Sequence, residues 1–241
     1  MAQTGLYEKA EKIILCLSGF ISAIGTVMLP KVSRMTRMKQ MDAVQRHIRL
    51  SMELVMCMVC AMAFGLAAVA VNFAPLFYGD DFAYSGTLMM PLAFTLLSIG
   101  FANVIRTQWV LPQGRDTIFV HSVLTGAVIN LIANFVLIPP LGAMGAAAAT
   151  VLAEFSVPAV QFVYLRKELP YAHYLKTTGV YCLFGLVMAG VVALLGHVLP
   201  LYGWRKLAVQ VIGGAAVYGA LCLTYWKLAK RSDIFRLMRR K

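Results

Sequence analysis

The chain has 241 residues, 60% of them hydrophobic and 13% charged, with a formal net charge of +12. Soluble domains carry about 45–50% apolar and about 25% charged residues, so this balance excludes a soluble globular domain and points to a polytopic membrane protein. The basic residues sit in short loops between apolar runs, so the positive charge reads as a topological signal, and no nucleic-acid partner is expected.

In chain order, residues 1–30 form the first expected transmembrane helix. It opens with Glu8, Lys9, Glu11 and Lys12, continues as an apolar run, and meets Pro30. Proline lacks the backbone N–H and clashes with the preceding turn, so the helix is expected to stop there. The i,i+4 spacing predicts a Glu8–Lys12 pair at the outer mouth of a wet cavity. Residues 31–50 then hold Lys31, Arg34, Arg37, Lys39, Arg46 and Arg49. Met35, Met38, Met41, Val44 and Ile48 recur among them at three- and four-residue spacing. That pattern suggests a short amphipathic helix on the cytoplasmic leaflet, with a solvated basic loop as the alternative.

Six more apolar runs follow, at roughly 51–78, 86–112, 118–139, 143–165, 177–199 and 206–228, each long enough to span a bilayer. In lipid every backbone polar group needs an internal partner, and no run alternates as a barrel strand would, so all seven are expected as helices. Residues 51–228 are thus a six-helix transmembrane region and residues 229–241 a basic cytoplasmic tail. Alternate loops together with the tail carry 18 of the 22 Lys and Arg residues, and the remaining 4 lie on the other side. By the positive-inside rule the richer side is cytoplasmic, which places the C-terminus inside and the N-terminus outside. An exported N-terminus without a cleavable leader leads to the expectation of further helices upstream.

Charges inside a span are costly and tend to face the bundle interior or a water-filled cavity. Glu154 lies in the middle of its run, and its options are ion coupling or pairing with a neighbouring helix. Arg106, near Asn103 and Gln108, can grip a phosphate with its planar fork or snorkel to the interface. Glu53 reads as interfacial and solvated, and Asn130 and Asn134 share a helix face. Small residues at Gly142, Gly145, Ala146, Ala149 and Thr150, and at Ala215 and Gly219, mark sites where helix backbones can meet. The five cysteines, including the Cys57/Cys60 pair, lie in apolar runs and read as packing residues, with no disulfide and no zinc. The four histidines are scattered and no nucleophile–base or phosphate-loop motif occurs, so neither an enzyme nor a cofactor or metal site is expected.

Several stretches resemble one family. GLYEKAEKI followed by GTVMLPKVS, APLFYGDDFAYSG, NVIRTQWVLPQGRD, SVLTGAVINLIANFVLIPPLGAMGAAAATVLAEF and YLKTTG occur in order over about residues 5–190. They are similar to the bacterial oligosaccharide flippases, the O-antigen and capsule repeat-unit transporters of the multidrug, oligosaccharidyl-lipid and polysaccharide exporter superfamily. The resemblance implies fourteen helices in two lobes around a central cavity, with the seven helices here matching the last seven. It implies flipping of undecaprenyl-pyrophosphate-linked oligosaccharide across the bacterial plasma membrane, by alternating access coupled to a proton or sodium gradient. On that reading Arg106 holds the pyrophosphate, and Asn103, Gln108, Asn130 and Asn134 offer hydrogen bonds to sugars. Glu154 is the coupling residue, and Glu8, Lys9 and Lys12 line the cavity mouth. The implied partners are the lipid-linked oligosaccharide, membrane lipids, and a missing N-terminal lobe or a polysaccharide polymerase. The alternatives are a non-transporting scaffold of a polysaccharide-assembly complex and a drug or cation antiporter of the same superfamily. A membrane glycosyl- or acyltransferase lacks its acidic or histidine motif here.

Overall fold

A computed structural model describes residues 3–228, so the basic tail lies outside the described residues. The described residues are helical: α1 (Gln3–Arg37), α2 (Met41–Tyr78), α3 (Ala83–Ala93), α4 (Thr95–Ile105), α5 (Asp116–Leu141), α6 (Ala143–Leu165), α7 (Tyr171–Val198) and α8 (Gly203–Leu228). With Asp80–Gln113 counted as one composite span, seven helices among the described residues are long and apolar enough to cross a membrane.

Residues 80–113 form the centre of the bundle. Buried positions make up 72% of the most apolar stretch here, against 11% in α5. The span is not one regular helix. Pro91 withholds an N–H, and the chain tightens at Phe94, whose N–H bonds the Pro91 carbonyl at 3.2 Å before α4 begins. After Ile105 the helix widens into a π-turn at Arg106–Val110, then tightens to a short 3₁₀ turn at Leu111–Gln113 and ends on Gly114 at φ 67°. Such widened turns are rare and recur at functional positions.

Two expectations fail at the first connection. Pro30 does not end α1, which runs on to Arg37. One missing hydrogen bond is tolerated where neighbouring helices hold the segment. Nor is there a separate surface helix at 31–50: those residues extend α1 and begin α2, with a short turn around Lys39 between them. Val44 and Ile48 are completely covered, because their apolar stripe packs on the bundle and not on lipid headgroups.

The helices run up and down, and their loops gather at two ends. At one end, the Gln3 Oε1 accepts from the Ala143 N–H at 3.0 Å, Ser85 Oγ donates to the Leu6 carbonyl at 2.8 Å, and the Tyr78 hydroxyl donates to the Lys9 carbonyl at 3.1 Å. At the other, Glu168 Oε2 accepts from both Arg115 Nη1 at 2.6 Å and Trp109 Nε1 at 3.1 Å, which ties the third loop to the fifth.

Small residues set two close approaches. A Cβ at Gly25 would lie 2.2 Å from Asn103 Oδ1, so a larger residue there would force the Asn103 side chain to turn aside. A Cβ at Gly145 would lie 2.1 Å from the Leu137 carbonyl oxygen, where α6 folds back on α5. Backbone cannot swing aside as a side chain can. Gly145→Ala is therefore expected to cost about 1–3 kcal/mol through overpacking, read as a lower melting temperature in detergent. An unchanged melt would mean that the hairpin is looser than described. Gly219, expected at a similar contact, has nothing within 4 Å of its Cβ position.

Candidate functional site

The cavity that gathers most of the sequence-predicted polar residues has a volume of about 800 Å³ and is open along one side. α4 and α6 pack on each other behind it, and α1 and α5 flank them. Each helix contributes one stripe. On α1 it is Tyr7, Glu11, Leu15, Ser18 and Ser22, and on α4 it is Ile99, Ala102 and Asn103, continued by Arg106. These spacings of three and four follow the 3.6-residue helical period, which is how isolated polar residues in four apolar runs reach one surface.

Arg106, Asn103, Asn130, Asn134 and Glu154 all line this cavity. Asn134 Nδ2 donates to Asn130 Oδ1 at 2.9 Å, so the two amides act as one unit on the α5 wall. Ser98 Oγ donates to the Glu154 carbonyl, which ties α4 to α6 at the height of that carboxylate. Tyr7 closes the end nearer the N-terminus of α1. Its hydroxyl lies 2.8 Å from Thr150 Oγ1 and donates to Glu11 Oε1 at 3.4 Å.

Arg106 sits at the start of the π-turn with its guanidinium carbon 5.1 Å from the Phe119 ring centroid. No carboxylate of the described residues stands within 4 Å of it, since the ion pair formed among them is Arg115–Glu168. Among the described residues its Nε is covered yet has no hydrogen-bond partner, and Gln161 Oε1 on the facing α6 stripe is also unpartnered. A planar cation held by stacking, with donors left open, is suited to an anionic oxygen group.

Gln108 does not join them. It is buried at 1% exposure outside the cavity lining, because two residues along a widened turn carry it to another face. The outer cluster also departs from expectation. Glu8 and Lys12 are exposed and do not pair within 4 Å. Lys9 turns away from the cavity, with Nζ 5.3 Å from the Tyr78 ring centroid and 5.6 Å from that of Phe82. Glu11 lines the cavity in their place. Sequence reasoning missed Tyr7, Thr150 and Gln161. The signal for Tyr7 was present, one turn before Glu11, but tyrosine at a helix end reads first as an interface anchor. Glu53 is a further correction, since it is buried at 4% exposure and accepts from the Tyr181 hydroxyl at 3.1 Å.

Residues 5–213 match the family described as lipid II flippase MurJ. A Haloferax volcanii protein named a low-salt glycan biosynthesis flippase, Agl15, is 23% identical over 93% of this chain and 47% of its own length. A Shigella dysenteriae protein named an O-antigen transporter is 22% identical over 58% of the chain and 34% of its own length. A solved structure of lipid II flippase MurJ in an inward closed conformation superposes with a TM-score of 0.78 at 17% identity, covering 93% of this chain and 47% of that one. The chain thus spans about half the length, or less, of the proteins it matches. The seven apolar helices and the shared fold make it a multi-pass membrane protein.

Proposed function

The chain belongs to the lipid II flippase MurJ family, and on that premise we propose that its cavity is one wall of the passage by which a lipid-linked oligosaccharide crosses the plasma membrane for cell-surface glycan synthesis. The observation that carries this reading is Arg106, a cation over the Phe119 ring with no carboxylate of the described residues within 4 Å, facing a cavity of about 800 Å³. Its guanidinium receives the diphosphate. Asn103 and the Asn130–Asn134 pair offer donors and acceptors to the sugars. Glu154, in mid-span, is the ion-coupling group. The bias of basic residues supports a cytoplasmic C-terminus and puts Arg106 toward the cytoplasmic side, where the substrate is loaded. This reading calls for a second lobe against the open side of the cavity, because alternating access needs two bodies rocking around a shared site and the chain spans 47% of the length of the relative and of the solved structure that it matches over 93% of its own.

Native mass spectrometry in detergent tests the substrate class. Undecaprenyl-diphosphate disaccharide is expected to remain bound, while undecaprenol of the same chain length dissociates. Equal retention of the two would sink the diphosphate reading and leave only a lipid-contact surface.

A further inference from the structure

Four of the five cysteines meet in two pairs, away from the cavity. Cys57 Sγ on α2 lies 3.6 Å from Cys222 Sγ on α8, and one turn further along α2 the Cys60 Sγ lies 3.7 Å from Cys182 Sγ on α7. All four are free thiols, and each pair joins one half-buried sulfur (Cys57 or Cys182) to one buried sulfur (Cys222 or Cys60). The same three helices are held in register around them. The Tyr218 hydroxyl donates to the Cys57 carbonyl at 2.6 Å, Trp226 Nε1 donates to the Tyr181 hydroxyl at 2.9 Å, and Tyr181 in turn donates to Glu53. At 3.6 and 3.7 Å the sulfurs of each pair are in contact and stand beyond the S–S bond length of about 2.05 Å, so a small closing of each pair brings them to bonding distance.

We propose that these are two oxidisable dithiol sites that fasten α7 and α8 to α2. Each oxidation breaks two S–H bonds and forms one S–S bond. The two electrons and two protons pass to a lipid-soluble acceptor of the quinone or azo class, which becomes the hydroquinone or hydrazine. With an azo acceptor the half-buried sulfur adds first across N=N and forms an S–N bond; the buried thiol then attacks that sulfur, forming S–S and breaking S–N, and the hydrazine leaves carrying both protons, with the sulfur as the centre attacked as in thiol–disulfide exchange. Both bridges are inter-helical, so neither the Cys57–Cys60 nor the Cys182–Cys222 link forms. Cys16 lies exposed on α1, outside both pairs, and stays reduced.

The experiment uses the intact chain in native membranes, treated with the membrane-permeant azo oxidant diamide. Free thiols are then alkylated, and the protein is cut with trypsin at Arg166 and Lys167, between α6 and α7. On a denaturing gel without reductant, the fragments bearing α7 and α8, which trypsin also separates at Arg205 and Lys206, are expected to stay attached to the fragment bearing α2, and dithiothreitol should release them. Peptide mapping should find the 57–222 and 60–182 links, with Cys16 alkylated. Cys57→Ser should keep only the 60–182 link, and Cys60→Ser only the 57–222 link. Full alkylation of all five thiols after diamide, or a 57–60 link, would overturn the proposal. Both of those results are read on the unsubstituted chain, so they stand whether or not the serine variants fold.

Discussion

Arg106→Ala is expected, on the proposed function, to lower translocation of lipid-linked saccharide about 10- to 150-fold, the loss that follows when hydrogen bonds from a charged group worth about 1.5–3 kcal/mol are removed. Abundance in the membrane should not change, because Arg106 makes no ion pair among the described residues and its Nε has no partner to strand. Arg106→Lys should recover part of the rate, since an ammonium keeps the charge but loses the planar fork and its fit to Phe119. The measurement is appearance of the saccharide on the outer leaflet of cells expressing each form at matched level together with the second lobe. Wild-type export by the alanine form would remove Arg106 from the substrate path.

The second large effect concerns stability. Glu53→Ala should destabilise the fold by about 2–4 kcal/mol, from a lost buried hydrogen bond together with the cavity left behind. Glu53 is 4% exposed and receives the Tyr181 hydroxyl, which itself receives Trp226 Nε1, so one carboxylate anchors a chain of hydrogen bonds across α2, α7 and α8. Glu53→Gln keeps an acceptor oxygen and should cost far less. Melting in detergent separates the two substitutions. Equal melting temperatures for the alanine and native forms would mean that these hydrogen bonds hold nothing together.

Much of the architecture was legible in the sequence because lipid leaves the backbone few choices. Seven apolar runs gave seven spans, and the i,i+4 spacing of Asn130 and Asn134 gave one face and one hydrogen bond. Where sequence reasoning failed, tertiary packing had overridden a local rule. Pro30 stops an isolated helix but not one lying against its neighbours. Val44 and Ile48 suit a membrane surface equally well, and only the bundle decides that they are buried. Gln108 follows Arg106 by two residues, and a π-turn that no local signal announces carries it away from the cavity. The thiol pairs were invisible for another reason. They join residues 165 and 122 positions apart, a proximity that spacing along the chain does not encode.

On the proposed function, the stripes on α1, α4, α5 and α6 face a water-filled substrate path while the rest of the perimeter faces lipid. Cysteine accessibility in membranes tests that division most directly. Ser22→Cys and Asn134→Cys place a thiol in the cavity lining, while Phe135→Cys and Val163→Cys place one at positions with 75% and 65% exposure outside it. A charged, membrane-impermeant thiol reagent is expected to label the first two above the level of the unsubstituted chain, and undecaprenyl-diphosphate disaccharide is expected to protect them. The second two should stay unlabelled. Equal labelling at all four positions, or at none, would contradict a water-filled path along these helices.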